Sequence, residues 1–329
     1  MITMKNKYFS HITLFIFCLF FSSGCSFISI SLAPSVEPLK ETTVSGSGKD
    51  KILMIDVSGI ISEERRRGLA GLSEEPDMVA RIKEELKTAT RDKNMKAIIL
   101  RINSPGGTVT ASDMIYHEIE QFKKTTNIKI IACIMDLGAS GGYYVTVSAD
   151  KIIAHPTTVT GSIGVIMINL SVEGLLQKIG VKDTSIKTGE YKDMGSPLKT
   201  MTEEERRIFQ GVMDTLYERF LAVIAENRKK LTPEKLRFLA DGRIYTARQA
   251  LEYGLIDQIG YLDEAILLAK EEAGLTEARV VTYHRPGVYK NNIYSQLSNA
   301  GFGAINLLNI DLKSFVNSGT PSFMYLWAP

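Results

Sequence analysis

From Lys51 to the helix that opens at Ser140, buried-strand runs alternate with helical spacing, and this constrains the fold more than any other feature. "KILMIDVSG", from Lys51, is too continuously apolar for a strand with one wet face. "MVARIKEELKTAT", from Met78, spaces its apolar residues as a helix does. "KAIILRI" is a second strand, "SDMIYHEIEQFKK" a second helix and "KIIACIM" a third strand. Repeats of this kind specify a parallel sheet with crossover helices, an α/β fold.

Further on, "KIIA", "SIGVIMIN" and "KDTSIKT" read as strands, and "VEGLLQKIG" as a helix. The pattern then turns helical. Thr202 to Glu226 forms one amphipathic stretch whose Thr202 and Glu205 have capping-box spacing. "TPEKLRFLA" carries proline at the first helical position. Thr246 and Gln249 repeat the capping box, and a last helix spans Asp263 to Ala273. No internal repeat is present. The expected organisation is a targeting segment over 1–25, a flexible tether over 26–50, a folded domain over 51–275 and a tail over 276–329. The tail is polar, rich in Gly and Asn, and ends in "MYLWAP". It either docks on a neighbour or a membrane surface, or is poorly ordered.

Lys5 and Lys7 precede an apolar run from Ile12 to Phe21, followed by "SSGCS". A basic start, a short apolar core and small residues make an export signal. Gly24-Cys25 also resembles a lipoprotein signal, in which Cys25 would be lipidated. The competing reading is an uncleaved anchor, because "FISISLA" extends the apolar character to about the ~20 residues a span needs. Both readings tie the folded part to a membrane on its extracytoplasmic side.

The net charge of +2 over 329 residues gives no reason to expect nucleic acid. No dinucleotide fingerprint, phosphate loop or zinc pattern is found. Cys18, Cys25 and Cys133 imply no disulfide framework and no metal site, and Cys133 reads as a small hydrophobe in a strand.

Acyl transfer needs a nucleophile, a proton acceptor and N–H donors aimed at an oxyanion. In "MDLGASGGYY", Ser140 lies among Gly138, Ala139, Gly141 and Gly142 at a strand-to-helix turn. It is either an exposed nucleophile or an ordinary helix cap. "INSPGG", residues 102–107, is a second glycine turn between a strand and a helix. A glycine N–H there, with that of Gly141, would make an oxyanion hole; losing one such donor costs about 2.7–4 kcal/mol. Parallel strands bring two such turns to one sheet edge. The base is open between two residue types. His155, with Asp150 or Asp183 as orienter, would complete a serine–histidine–aspartate system. The alternative is a lysine whose pKa, ordinarily ~10.4, is lowered by burial by up to ~3–5 units. Lys192 in "GEYKDMGSP" is a candidate. His11, His117 and His284 have no persuasive setting.

Taken together and in order, "INSPGG", "GASGGYY", "TGSIGVIM", "GEYKDMGSP" and "ADGRIYTARQALEYGLIDQIG" closely resemble the signal peptide peptidase A family. The likeness covers about Lys51 to Ala273. It implies a ClpP/crotonase-like parallel βαβ superspiral with a helical C-terminal part. It implies a membrane-bound serine peptidase with a Ser-Lys dyad, needing no metal or other cofactor. Carried over, Ser140 is the nucleophile, Lys192 the general base, Ser162 the residue that orients the lysine, and Gly107 and Gly141 the oxyanion donors. The chain resembles the family's short form, in which several copies assemble into a dome-shaped ring and can complete one another's sites. The substrates implied are short apolar peptides, such as signal peptides left in the membrane. Two other readings share the sheet-and-turn plan: a Clp-like peptidase using His155, and a crotonase-like enzyme acting on acyl-CoA. The export signal argues against the second, because CoA chemistry is cytoplasmic.

Overall fold

Period-2 packing of β-branched residues accounts for the centre of the molecule. A computed structural model describes residues 38–64, 66–67, 74–285, 293–294 and 322–328. The chain divides into two units, 1–36 with 67–74 and 37–66 with 75–329; the elements below belong to the second. In chain order they begin with β1 (Lys40–Gly46), β2 (Lys51–Ser58), α1 (Met78–Arg91), β3 (Met95–Ser104), β4 (Gly106–Thr108), α2 (Val109–Thr125), β5 (Lys129–Ala139) and α3 (Gly141–Thr146). Next come β6 (Lys151–Ala154), β7 (Val159–Gly161), β8 (Ile166–Met167), α4 (Glu173–Lys178) and α5 (Glu203–Asn227). The chain continues with α6 (Pro233–Leu239), β9 (Ile244–Thr246), α7 (Ala247–Tyr253), β10 (Gln258–Ile259), α8 (Leu262–Glu272), β11 (Arg279–His284) and β12 (Phe323–Leu326).

The main sheet runs β1-β11-β2-β3-β5-β6-β10, with β7 on the far end of β5 and β9 on β7. Every pair from β11 to β10 along this path is parallel. Ile52, Met54, Ala97, Ile99, Ile131, Cys133 and Ile153 face α8 through Leu262, Ala265 and Ala269. The alternate residues Leu53, Ile55, Ile98, Leu100, Ala132 and Ile134 face α1, α2 and α3. Burial on both faces is why these strands read as unbroken apolar runs. The expected α/β fold with a parallel sheet is therefore present, as are the capping boxes of α5 and α7 and the proline opening α6.

Several expectations need correction. The stretch assigned to a flexible tether contributes β1, an edge strand paired antiparallel to β11. The folded body thus starts before Lys51 and, through β11, continues past residue 275. Thr42, Thr43 and Val44 supply β-branched residues that the Ser/Gly content of the surrounding stretch masks. "SIGVIMIN" yields only the two-residue β8. "KDTSIKT" forms no strand: all seven residues are exposed and Ile186 is fully so. Of the tail, residues 286–292, 295–321 and 329 lie outside the described residues, whereas 322–328 are placed. Strand β12 lies between β4 and β8 in a small antiparallel sheet of the same chain. The targeting segment, with Cys18 and Cys25, lies outside the described residues. Among the described residues no helix is long and apolar enough to cross a membrane.

Candidate active site

Strand β5 ends at Ala139 and α3 begins at Gly141, so Ser140 alone makes the reversal. Its backbone sits at φ +52°, ψ −118°, a region that favours glycine. Holding a side chain there costs about 1–3 kcal/mol. Two bonds fix it: the Ser140 N–H donates to the Gly161 carbonyl at 2.7 Å, and the Tyr144 N–H donates to the Ser140 carbonyl at 2.8 Å. The residue is 1% exposed. Its hydroxyl makes no cap bond to the helix and has no hydrogen-bond partner among the described residues. Ser140 thus occupies the N-cap position of α3 without its side chain capping the helix. A buried hydroxyl without a partner costs about 1–3 kcal/mol, and such groups mark strained or reactive positions.

Across from Ser140, β3 ends at Ser104 and the chain turns through Pro105 into β4. Gly106 has φ +101°, and a Cβ there would lie 2.7 Å from the Gly141 nitrogen. The two glycine turns therefore meet at one sheet edge. What lies between them is the carbonyl of Tyr325 in β12. Its oxygen would be 1.9 Å from a Cβ on Gly106 and 3.0 Å from one on Gly141. Tyr325 pairs with Gly107 in the antiparallel register, and the Trp327 N–H donates to the Pro105 carbonyl at 2.9 Å. Bonded pairs recur every second residue in such a ladder. The Gly107 N–H thus faces the Tyr325 carbonyl, while Gly106 and Thr108 bond to Ile61 on the other side.

Ser162 lies one residue beyond the carbonyl that anchors Ser140. It too has positive φ, +49°, is 8% exposed, and donates its N–H to the Arg243 carbonyl at 2.7 Å. Lys192 is placed differently. It is exposed, in a turn where its N–H donates to the Gly189 carbonyl at 3.2 Å. Since the Ser140 hydroxyl is unpartnered, this chain alone does not bring Lys192 within hydrogen-bond distance of it. The neighbouring Asp193 accepts from Lys187 and Lys199, which hold its carboxyl down at about 2. Lys199 also bonds Glu205 at the start of α5, so the turn is tied to that helix.

The histidine alternative is not assembled. The His155 ring bonds Thr157 at 2.8 Å and packs edge-on against Tyr261. Asp150 accepts from the Ile130 N–H, and Asp183 from Ser185. His284 bonds Thr42. Cys133 is buried, and burial pushes its thiol up to about 12, so it packs as the small hydrophobe expected. No group of His, Cys, Asp and Glu suited to a metal occurs among the described residues.

Sequence reasoning missed the strand that fills the site. Phe323 and Tyr325 point to one side, and that period-2 alternation in "FMYLWA" was the available signal. The Phe323 ring packs against Phe209 of α5 at 6.2 Å. Beside it opens a cavity of about 450 Å³ with a mixed lining, Met167, Met201, Phe209 and Met213 alongside Asn169, Ser171, Thr200, Arg206 and Gln210.

Residues 122–276 match the family described as peptidase family S49. The chain is 40% identical over 249 residues to the "Putative signal peptide peptidase SppA" of Enterococcus faecium, covering 76% of this chain and 71% of that one. It is 32% identical over 260 residues to the chloroplastic serine protease SPPA of Arabidopsis thaliana, covering 78% of this chain and 38% of that one. Among solved structures, a ClpP1 mutant from Listeria monocytogenes aligns over 65% of this chain and 94% of its own, at 18% identity and a TM-score of 0.42.

Proposed function

Because this chain belongs to peptidase family S49, the signal peptide peptidase A family of serine peptidases, we propose that it is a membrane-tethered endopeptidase using Ser140 as nucleophile and Lys192 as general base. One observation carries the reading: a strained, buried, unpartnered serine hydroxyl beside a peptide carbonyl lodged among Gly106, Gly107 and Gly141. A hydroxyl with no competing bond is free to attack. The Gly107 and Gly141 N–H groups are the donors for the charge that forms on the carbonyl oxygen.

The reaction follows in two halves. The neutral Lys192 amine takes the Ser140 proton as the hydroxyl oxygen bonds to the carbonyl carbon. The tetrahedral species collapses, the C–N bond breaks, and the lysine returns its proton to the leaving amine. Water, deprotonated by the same lysine, then cleaves the ester and restores the serine. Ser162 orients the amine.

In this proposal the lysine reaches the serine in a homo-oligomer. The segment bearing Lys192 exposes Ile168, Leu175, Ile179, Val181, Ile186 and Tyr191, which fits burial against a second copy. Such a contact would strip water from the amine and lower its pKa, as a lysine base requires. A ring of this kind, tethered by the N-terminal segment, faces the membrane surface. Its substrates are short apolar peptides such as remnant signal peptides.

The test uses an apolar fluorogenic peptide. Ser140→Ala and Lys192→Ala each abolish hydrolysis while circular dichroism is unchanged, and His155→Ala keeps most of it. Near-normal turnover by Lys192→Ala would end the dyad reading.

A further inference from the structure

Strand β9 lies behind the residues that hold Ser140. It pairs antiparallel with β7, with Ile244 opposite Gly161 and Thr246 opposite Val159. Strand β7 in turn runs parallel to the end of β5, with Gly161 beside Ala139. The β7–β9 pairing continues past both strands. The Ser162 N–H donates to the Arg243 carbonyl at 2.7 Å, and the Gly242 N–H to the Ile163 carbonyl at 3.1 Å. Two consecutive residues are thus gripped from opposite sides. The Gly161 carbonyl accepts from Ser140, and the Ser162 N–H is held by Arg243.

Both residues need that support. Gly161 has φ +90° and Ser162 φ +49°, and a serine stays in the left-handed region only where its surroundings over-determine it. The Tyr245 ring lies against Gly161, where a Cβ would come within 2.5 Å of it. The Tyr245 hydroxyl donates to the Leu239 carbonyl at 2.7 Å. The Arg243 carbonyl is aimed by a single side chain. The Asp241 carboxylate accepts from the Arg243 N–H at 3.2 Å, closing a turn around Gly242 at φ +89°. It also accepts from the Arg243 guanidinium, from Nε at 2.7 Å and from Nη2. The guanidinium lies over the Phe238 ring, 5.3 Å from its centroid. From α5, the Tyr217 hydroxyl donates to the Ala240 carbonyl at 2.8 Å. Resting on the proposed peptidase function, we infer that Asp241 is a positioning residue: through the Arg243 carbonyl it sets the backbone of Ser162, and with it the hydroxyl that orients the lysine.

Asp241 touches neither the substrate nor the reacting atoms. Its pair with Arg243 is half exposed, and such pairs add little to stability. The carboxylate acts instead by selecting one conformation of Gly242 and Arg243. Without it, Gly242 has many others open. The Arg243 carbonyl then loses its aim, and Ser162 relaxes out of the left-handed region. Proton transfer slows because a group is misplaced, an effect of up to about 100-fold. Strands β4 and β8, which flank the groove, belong to other segments, so peptide binding is spared.

The test compares Asp241→Ala and Asp241→Asn with the unaltered full chain on an apolar fluorogenic peptide. Asparagine keeps an oxygen for the Arg243 N–H and loses only the charge. Asp241→Ala lowers kcat by about 10- to 100-fold, with KM and the thermal midpoint unchanged, and Asp241→Asn recovers most of the loss. Since Asp241 acts through Ser162, the two losses do not multiply. Asp241→Ala added to Ser162→Ala lowers kcat by less than about twofold more. A normal kcat in Asp241→Ala, no recovery with asparagine, a loss that follows the thermal midpoint, or losses that multiply in the double variant each overturn the assignment alone. If the unaltered chain cuts no apolar peptide and Ser140 does not react with a fluorophosphonate, the peptidase reading falls and this inference with it.

Discussion

Ser140 combines two destabilising features, a backbone conformation that favours glycine and a buried hydroxyl without a partner. Neither serves packing. They can be separated by substitution, because Ser140→Ala removes only the hydroxyl while Ser140→Gly also removes the backbone strain. Both variants are inactive. The glycine variant is more stable than the alanine variant by about 1 kcal/mol, after allowing for the greater freedom of an unfolded glycine. Urea denaturation of the two proteins measures this directly, and equal midpoints would mean that the turn holds no strain. At this scale the sequence was informative where chemistry is local. Ser140 and the two glycine turns were legible as candidates because small residues cluster at two consecutive strand-to-helix junctions, though the residues alone left an ordinary helix cap open. The meeting of those turns around a carbonyl follows from the parallel sheet. The base proposed for Ser140 was not legible from the residues, since a lone lysine in a loop looks like any solvated charge.

At the scale of elements, apolar runs and capping boxes placed most strands and helices, and the failures share one cause. "KDTSIKT" has strand-like composition but pairs with no strand among the described residues, and β1 has tether-like flanks but an edge available at β11. Pairing partners decide such short segments, and a one-dimensional pattern does not contain them. The turn carrying Lys192 depends instead on charge, through Asp193 between Lys187 and Lys199. Asp193→Asn weakens both ties, and activity falls by up to about 100-fold through misplacement of the lysine, with the thermal midpoint unchanged. The pH dependence has a definite sign. Lys187 first and Lys199 second hold the carboxyl at about 2, below its ordinary 3.8. The tie is complete above about pH 4 and is lost as pH falls through about 2. Limited proteolysis of the turn near residue 192 is slow at pH 5 and accelerates at pH 3; equal rates would show that Asp193 does not hold the turn.

For the whole molecule, the position of β12 sets a competition. A strand on the same chain lies in the groove that a peptide substrate enters in the proposed mechanism, with its carbonyl in the glycine cradle. The tie is intramolecular, so its effective concentration is on the order of millimolar. A substrate meets a free groove only in the fraction of molecules whose strand has lifted, and its apparent affinity falls by that fraction. Once the substrate is bound, the chemistry is unaffected. Removing residues 322–329 therefore lowers KM for an apolar peptide and leaves kcat unchanged. A synthetic peptide spanning residues 322–328 restores the original KM as a competitive inhibitor of the shortened enzyme. The kinetic split distinguishes this from a structural role for β12. Loss of a supporting strand would disturb Gly107 and lower kcat, because the N–H that meets the Tyr325 carbonyl is the one proposed to hold the oxyanion. A shortened enzyme with reduced kcat and unchanged KM would show that β12 is a brace for the site and not an occupant of it.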